Sequence, residues 1–391
     1  MRLVVLLPRV PYPIEKGDKL RAYNFIRELS QYHEIYLFAI AETKVKQESI
    51  NNLKQFCKDV HVAPISKMNI LLNMTKAFFQ GLPLQIGFYT SPKIKNDFNN
   101  YIDKVKPDQI FCQLIRVAEY VKNLDIPKTI DIQDTMSLNI KRNIKTLQAF
   151  LRPIYKIEAK RLQKYECDIF EKFDNKILIS QPDRDAYPHS DRAEIKIIPN
   201  GVDFDFFHPI LDAQKVNDVV FTGNMGYIPN IDASIFLVKD ILPIVKEKYP
   251  DVKFVIAGAN PPKKLRKLAS DNVIVTGWVE DIRNCYATAK VFIAPMRIGT
   301  GLQNKLLEAM AMKIPCITTP LANEALCAKT KENILVAKSK DDLAAHIITL
   351  LENKEYADKL ADNAYRFVTK SYSWEQAGVM LNDLIINTVK K

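Results

Sequence analysis

Residues 297–319 read RIGTGLQNKLLEAMAMKIPCITT, and the fold follows from how this stretch is parsed. It reads as a glycine-bearing loop, then a helix, then a strand. Gly299 and Gly301 give the loop backbone freedom and put no side chain in a ligand's way. Residues 302–312 hold few helix breakers and space their apolar members helically, which predicts a helix. Pro315 ends it, and residues 316–319 restart as a short strand.

A loop opening a helix leaves free backbone N–H groups, where phosphate binds well. Arg297 lies just before the loop and Lys305 in the first turns of the helix, so both can bring positive charge to one anion. Thr300 and Leu302 complete the loop wall. Glu308 follows Lys305 by one helical turn, on the same face, where a carboxylate can accept hydrogen bonds from the paired hydroxyls of a ribose. The plain alternative is a surface loop with a solvated Lys–Glu pair. Cation, glycines, cation and carboxylate together favour a nucleotide diphosphate site.

The same strand–helix rhythm extends outward from this unit. Strands are expected at 219–222, 253–257, 273–276, 291–294, 316–319 and 334–336, with helices between them, for example 230–249. Regular alternation argues for a parallel sheet with helices on both faces. Gly223 and Asn224 follow the first of these strands, at the ligand-binding carboxyl edge, and no Lys or Arg occurs between Gly223 and Lys239. Asp341 and Asp342 are expected to cap the helix that runs through Leu351. Trp278 reads as core.

The amino-terminal half repeats the pattern, with strands expected at 2–7, 34–40, 60–65, 109–113, 128–132, 176–180 and 195–198. Residues 2–7 are a continuous apolar run, as expected of a strand buried on both faces. Gly17 stands where the next loop becomes a helix, and Asp18 is the expected N-cap. Asp134 lies at the carboxyl end of strand 128–132, a candidate acceptor contact unless it or Asp131 caps the following helix. Residues 68–92 are rich in large apolar side chains, part core and part an exposed surface of the kind that marks partner or membrane sites. Residues 139–164 hold eight Lys or Arg and one acid, with apolar residues running beside the basic ones. That pattern fits an interfacial helix on anionic lipid, or else a solvated basic face on a core helix.

Composition sets the outer limits. The chain has 391 residues, enough for two domains with separate cores. Its 47% hydrophobic and 26% charged residues suit a globular protein. The net charge of +11 favours anionic partners. Six cysteines and five histidines are scattered without metal-ligand or redox spacing, so neither a metal nor a disulfide is expected. The amino terminus lacks the pattern of a signal peptide, and no apolar run approaches the roughly 20 residues of a membrane span. These features predict a cytoplasmic protein, peripheral at most on the inner face of the cytoplasmic membrane.

The segment GTGLQNKLLEAMAMKIPCITT resembles the donor-binding segment of glycosyltransferase family 4. That family has the GT-B fold, an α/β architecture of two Rossmann-like domains with parallel sheets facing across a cleft. Its usual motif has two glutamates; Glu308 matches the second, and Thr300 stands where the first would fall. The form here is similar to a subgroup of bacterial sugar transferases with R-x-G-x-G…NK-x-LEAMA in its place. The resemblance implies a loop around Gly17 near the donor phosphates and acceptor, joined by Lys19 and Arg21 unless those two are solvated helix residues. It implies a base-holding loop, TGWVED, that works through backbone atoms at Val279. PNGVD followed by F-x-P resembles the interdomain hinge, which sets domains at 1–209 (acceptor side) and 210–371 (nucleotide-sugar side). SWE is similar to the start of a last helix, 372–391, that crosses back to the first domain.

The expected activity is transfer of a sugar from a nucleotide-diphosphate sugar to an acceptor hydroxyl, with retention at the anomeric centre and no metal or other cofactor. Arg297 and Lys305 would stabilise the leaving diphosphate, and Asp134 would meet the acceptor. The expected partners are the nucleotide sugar, a glycan or lipid-linked acceptor and an anionic membrane, without nucleic acid. Two other classes remain open: a nucleotide-sugar epimerase on the same fold, which requires acid–base groups in the cleft, and a non-enzymatic basic binder of membrane or nucleic acid.

Overall fold

The computed structural model describes residues 1–144, 148–210, 212–299 and 301–389. They form two compact units, Met1–Pro199 with Trp374–Lys391 and Asn200–Ser373.

The first unit is built on seven strands: β1 (Arg2–Leu7), β2 (Glu34–Ala41), β3 (Cys57–Pro64), β4 (Gln109–Gln113), β5 (Lys128–Gln133), β6 (Asn175–Leu178) and β7 (Lys196–Ile197). They pair in parallel in the order β3-β2-β1-β4-β5-β6-β7. Side chains alternate across β1. Leu3, Val5 and Leu7 enter one core, against Phe25 and Leu29 of the helix Gly17–Leu29. Val4 and Leu6 enter the other, against Phe98 and Ile102 of the helix Pro92–Val105. A strand sealed on both faces must be apolar throughout, as this one is.

The last helix, Trp374–Val389, belongs to this unit and packs on Gly17–Leu29. Trp374 meets Phe25 edge-on, with ring centroids 5.9 Å apart. Gly378 lets the helices approach: a Cβ there would lie 2.5 Å from the Glu28 Cβ.

The second unit carries β8 (Asn217–Thr222), β9 (Phe254–Ala257), β10 (Val273–Gly277), β11 (Ala289–Ala294), β12 (Cys316–Thr318) and β13 (Leu335–Val336). They are parallel in the order β10-β9-β8-β11-β12-β13, around one continuous core. The division between units falls at Pro199, upstream of the expected boundary near residue 210. The intervening residues are tied to the second unit instead. The Val202 N–H donates to the Tyr372 carbonyl at 2.9 Å, and the Asn200 Nδ2 donates to the Asn304 Oδ1 at 3.2 Å.

Local chemistry corrects several helix expectations. The helix expected at 230–249 is present over residues 228–248, but it is not regular. It runs as Ile228–Phe236, a wide turn at Leu237–Ile241, and Leu242–Lys248. Pro243 lacks the N–H that would continue the ladder. Ser339, not Asp341 or Asp342, caps Lys340–Glu352, accepting from the Asp342 N–H at 3.0 Å. Asp18 lies inside the first turn of Gly17–Leu29, with Lys16 at the N-cap position. The basic stretch 139–164 is divided among Met136–Asn143, a short turn at Ala149–Leu151 and Arg152–Phe170. No helix of the described residues is long and apolar enough to cross a membrane.

Candidate active site

In the second sheet the strand order reverses between β8 and β11: β9 and β10 extend one way from β8, β12 and β13 the other from β11. Such a switch point opens a crevice at the carboxyl ends of the strands. The segments leaving these two strands carry Gly223 and Asn224 on one side and Arg297–Leu302 on the other. Thr300 lies outside the described residues.

Close backbone contact makes this edge. Gly223 and Gly258 follow β8 and β9, with φ of 154° and 145°. A Cβ on Gly258 would fall 1.7 Å from the Gly223 carbonyl oxygen, and one on Gly223 would meet the Asn230 Nδ2 at 2.7 Å. Gly299 and Gly301 take φ of 101° and 77°, which shape the second loop as the sequence suggests. That loop feeds the helix Asn304–Ala311, and Gly299 faces Pro229.

Lys305 is half-buried at this edge. Its Nζ donates to the Asn230 Oδ1 at 2.6 Å and the Gln303 Oε1 at 3.3 Å, and lies 5.1 Å from the centroid of the Phe221 ring. The Asn230 Nδ2 in turn donates to the Asn224 carbonyl at 2.9 Å. Lys305 is thus held by neutral acceptors, with no carboxylate within 4.0 Å among the described residues. Burial lowers its pKa to about 8, partly opposed by Glu308.

Glu308 lies one turn further along the helix. Its Oε2 accepts from the Tyr286 hydroxyl at 2.7 Å, and that hydroxyl is 2.7 Å from the Thr222 Oγ1 at the end of β8. Burial raises the Glu308 pKa, while the bond from Tyr286 and the charge of Lys305 pull it down.

Arg297 is engaged elsewhere. Its Nη2 and Nε contact Asp232 at 2.7 and 3.0 Å, and the guanidinium lies over Phe236 at 4.3 Å. Both partners lie on the helix Ile228–Phe236. Val279 follows the edge strand β10, half-buried, while its neighbour Trp278 is 73% exposed and not part of the core.

The other named residues lie in the first unit. Gly17 is exposed, with open space where a Cβ would go. Lys19 contacts the Pro13 carbonyl at 3.3 Å and Glu15 at 3.7 Å. Arg21 corrects its sequence reading as a phosphate-loop residue. It is fully buried, and its Nε meets the equally buried Asp131 at 2.8 Å, joining the first helix to β5. Asp131 is therefore an ion-pair partner rather than a helix cap. Asp134 accepts from the Asn139 Nδ2 at 2.8 Å. Burial, helped by Asp183, raises its pKa to about 6 against the pull of Arg116.

Sequence reasoning missed Asn230, Gln303 and Tyr286. Asn230 carried one available signal, a polar residue in the first turn of a helix that follows a glycine turn. Tyr286 gave none, since tyrosines are common on amphipathic helices. The fold also gathers Glu171, His189 and Asp191, with ligand atoms within 4.8 Å of one another, though they lie apart in sequence. His189 stacks on Phe170 and pairs with Glu171 at 2.8 Å.

Residues 216–353 match the model of the family described as "Glycosyl transferases group 1". This stretch of the second unit is a glycosyl transferases group 1 domain. Over 389 residues, 95% of this chain and 96% of the relative, the chain is 24% identical to an "Uncharacterized 44.6 kDa protein in cps region" of Klebsiella pneumoniae. It is 23% identical over 216 residues, 51% of this chain and 56% of the relative, to the UDP-Gal:alpha-D-GlcNAc-diphosphoundecaprenol alpha-1,3-galactosyltransferase of Escherichia coli. Among solved structures, HepE from Anabaena in complex with UDP superposes with a TM-score of 0.71, covering 99% of this chain and 100% of that one at 13% identity. At that identity the likeness concerns the fold, which is GT-B: two α/β units, each with its own parallel sheet.

Proposed function

We propose that the protein is a nucleotide-sugar glycosyltransferase. The second unit holds the donor and the first holds the acceptor, with retention at the anomeric carbon and no metal. The observation that carries this reading is Lys305, a desolvated cation at the sheet's switch point with only neutral partners in reach. The bond between the anomeric carbon and the diphosphate oxygen breaks, and negative charge grows on the departing oxygen. Lys305 and the loop N–H groups stabilise that charge more in the transition state than before it, which accelerates the step. The acceptor hydroxyl oxygen bonds to the anomeric carbon on the face the diphosphate leaves, and its proton passes to the departing phosphate, in keeping with the resemblance in the donor segment. Glu308, with one oxygen engaged by Tyr286, offers the other to the ribose hydroxyls. Asp134 receives a hydrogen bond from the acceptor. Within the second unit, Gly223, Asn224, Val279, Gly299, Gly301 and Leu302 contribute backbone surface to the donor site.

The relatives support a place in cell-surface polysaccharide or glycolipid synthesis, with a hexosyl donor. Exposed Met68, Leu71, Phe79 and Phe150, close in sequence to Lys67, Lys76 and Lys156, support peripheral contact with an anionic membrane from the cytoplasmic side.

The test is a panel of nucleotide sugars incubated with the protein and followed by mass spectrometry. Release of a nucleoside diphosphate is expected with at least one donor. Lys305→Ala should slow it by roughly a hundredfold or more, the usual cost of one lost transition-state donor. Isomerised nucleotide sugar without release would favour an epimerase, and no turnover or binding by folded protein would end the transferase reading.

A further inference from the structure

Two cavities in the first unit share a wall. One, of about 360 Å³, is lined by Met74, Leu84, Phe88 and Ile154. The other, of about 240 Å³, contains Asp134, Met136 and Asn139. Gln85, Arg116, Ile140 and Tyr155 line both, so together they make one groove with a polar and an apolar end. The carboxylate in the apolar part is already engaged: Glu158 accepts the Leu84 and Gln85 N–H groups at 2.9 and 3.2 Å. Arg116, which donates to the Gln85 Oε1 at 3.2 Å, stands where the two ends meet.

The apolar end continues onto the surface. Leu71 and Phe78 lie three residues before and four after Met74, on the same helix face, and both are exposed. Ile157 is exposed one turn beyond Ile154 on the opposite wall. Arg161, stacked over Phe78 at 4.9 Å, joins the two helices.

We propose that this groove seats an acceptor whose sugar is joined through phosphate to a long aliphatic chain. The chain lies along Met74, Leu84, Phe88 and Ile154, the phosphate faces Arg116, and the sugar reaches Asp134. A free glycan would find few partners for its hydroxyls along these apolar walls, whereas a hydrocarbon needs none. A guanidinium between apolar and polar ends complements an anionic linker between a chain and a sugar. The larger cavity alone falls in the range of small-molecule sites, about 300–1,000 Å³, and the smaller one extends it. The sugar end of this assignment rests on the transferase reading; the chain and phosphate ends do not.

The test uses dodecyl phosphate below its micellar concentration, titrated calorimetrically into the full chain, with dodecanol and inorganic phosphate for comparison. Saturable binding of one dodecyl phosphate is expected, weakened about tenfold or more by Met74→Trp, which fills the apolar end. Arg116→Ala should weaken dodecyl phosphate and leave dodecanol unchanged. Ile154→Trp, at a residue 50% exposed, repeats the test should Met74→Trp fail to fold. UDP binding, measured in parallel, reports on the second unit. Absence of saturable binding overturns the proposal, as does equal affinity in folded filling variants or uptake confined to vesicles. Dodecyl phosphate binding without UDP binding would leave the groove standing and remove the transferase.

Discussion

Lys305 gives the most direct link between a titration and the proposed chemistry. Burial holds its pKa near 8 in the free protein, against about 10.4 for an exposed lysine. A diphosphate arriving beside the Nζ would favour the charged form, so binding should take up a proton. With a pKa of about 8, roughly nine-tenths of the side chains are charged at pH 7 and about one-tenth at pH 9. The apparent affinity for UDP should therefore fall about tenfold across that window, or about 1.4 kcal/mol. UDP contributes little to the change, since phosphate second ionisations lie near pH 6. Tyr286 stays protonated throughout, because burial raises its pKa well above the usual value. Titration calorimetry at pH 8 in two buffers of different ionisation heat should show uptake of about half a proton per UDP. Lys305→Met should bind weakly at pH 7 and lose both the pH slope and the uptake. Stability should move the other way. The folded pKa is depressed, so the unfolded chain binds more protons between about pH 8 and 10.4, and the free protein should gain stability as pH rises through that range. A wild-type affinity constant from pH 7 to 9, or a slope that survives Lys305→Met, would refute the reasoning.

Glu308→Gln keeps the volume but weakens the acceptor for ribose hydroxyls; UDP affinity should drop by roughly 1–3 kcal/mol, and unchanged calorimetry would contradict the ribose role. Arg21→Met leaves Asp131 buried without its partner and should cost about 3–5 kcal/mol in denaturant unfolding; Arg21→Met with Asp131→Leu should recover much of that, and a single-variant cost below about 1 kcal/mol would mean the pair adds nothing. Lys141→Glu with Arg142→Glu should reduce sedimentation with anionic vesicles, and no change would return that helix to a solvated basic face; Lys145, its neighbour in the basic pattern, lies outside the described residues.

The thirteen strands overlap the apolar runs expected from sequence, for a physical reason. A parallel sheet covered on both faces leaves its central strands no solvent side, so β1 and β8 carry unbroken apolar words such as VVLL and VVF, while the edge strands β3 and β10 are partly exposed. Gly299 and Gly301 were legible because positive φ favours glycine. Side-chain partnerships were not. Arg21 sits on a helix face where sequence alone assigns a basic residue to water, and its counter-ion comes from a strand a hundred residues away. Asn230 acquires its role because Gly223 admits its amide and Lys305 reaches its oxygen, and no local pattern encodes that pairing. Trp278 misled because size usually means burial, while here a turn after an edge strand turns the ring outward.

Three basic side chains distinguish structural charge from available charge. Arg21 is closed off with Asp131, and its attraction is spent joining a helix to a strand. Arg297, 45% exposed, is also committed, and must release Asp232 before it can meet a phosphate. That exchange trades one ion pair for another and returns little. Lys305 has given up water for two amide oxygens and the face of the Phe221 ring, none of which carries a formal negative charge. Burial lowers its pKa, and the charge of Glu308 offsets this only in part. An anion at this point gains an attraction that Glu308, one helical turn away, claims only in part, and the gain grows as charge develops on the anion. Under the proposed transferase reading, the electrostatic work would fall on Lys305 first, with Arg297 positioned by Asp232 beside the loop.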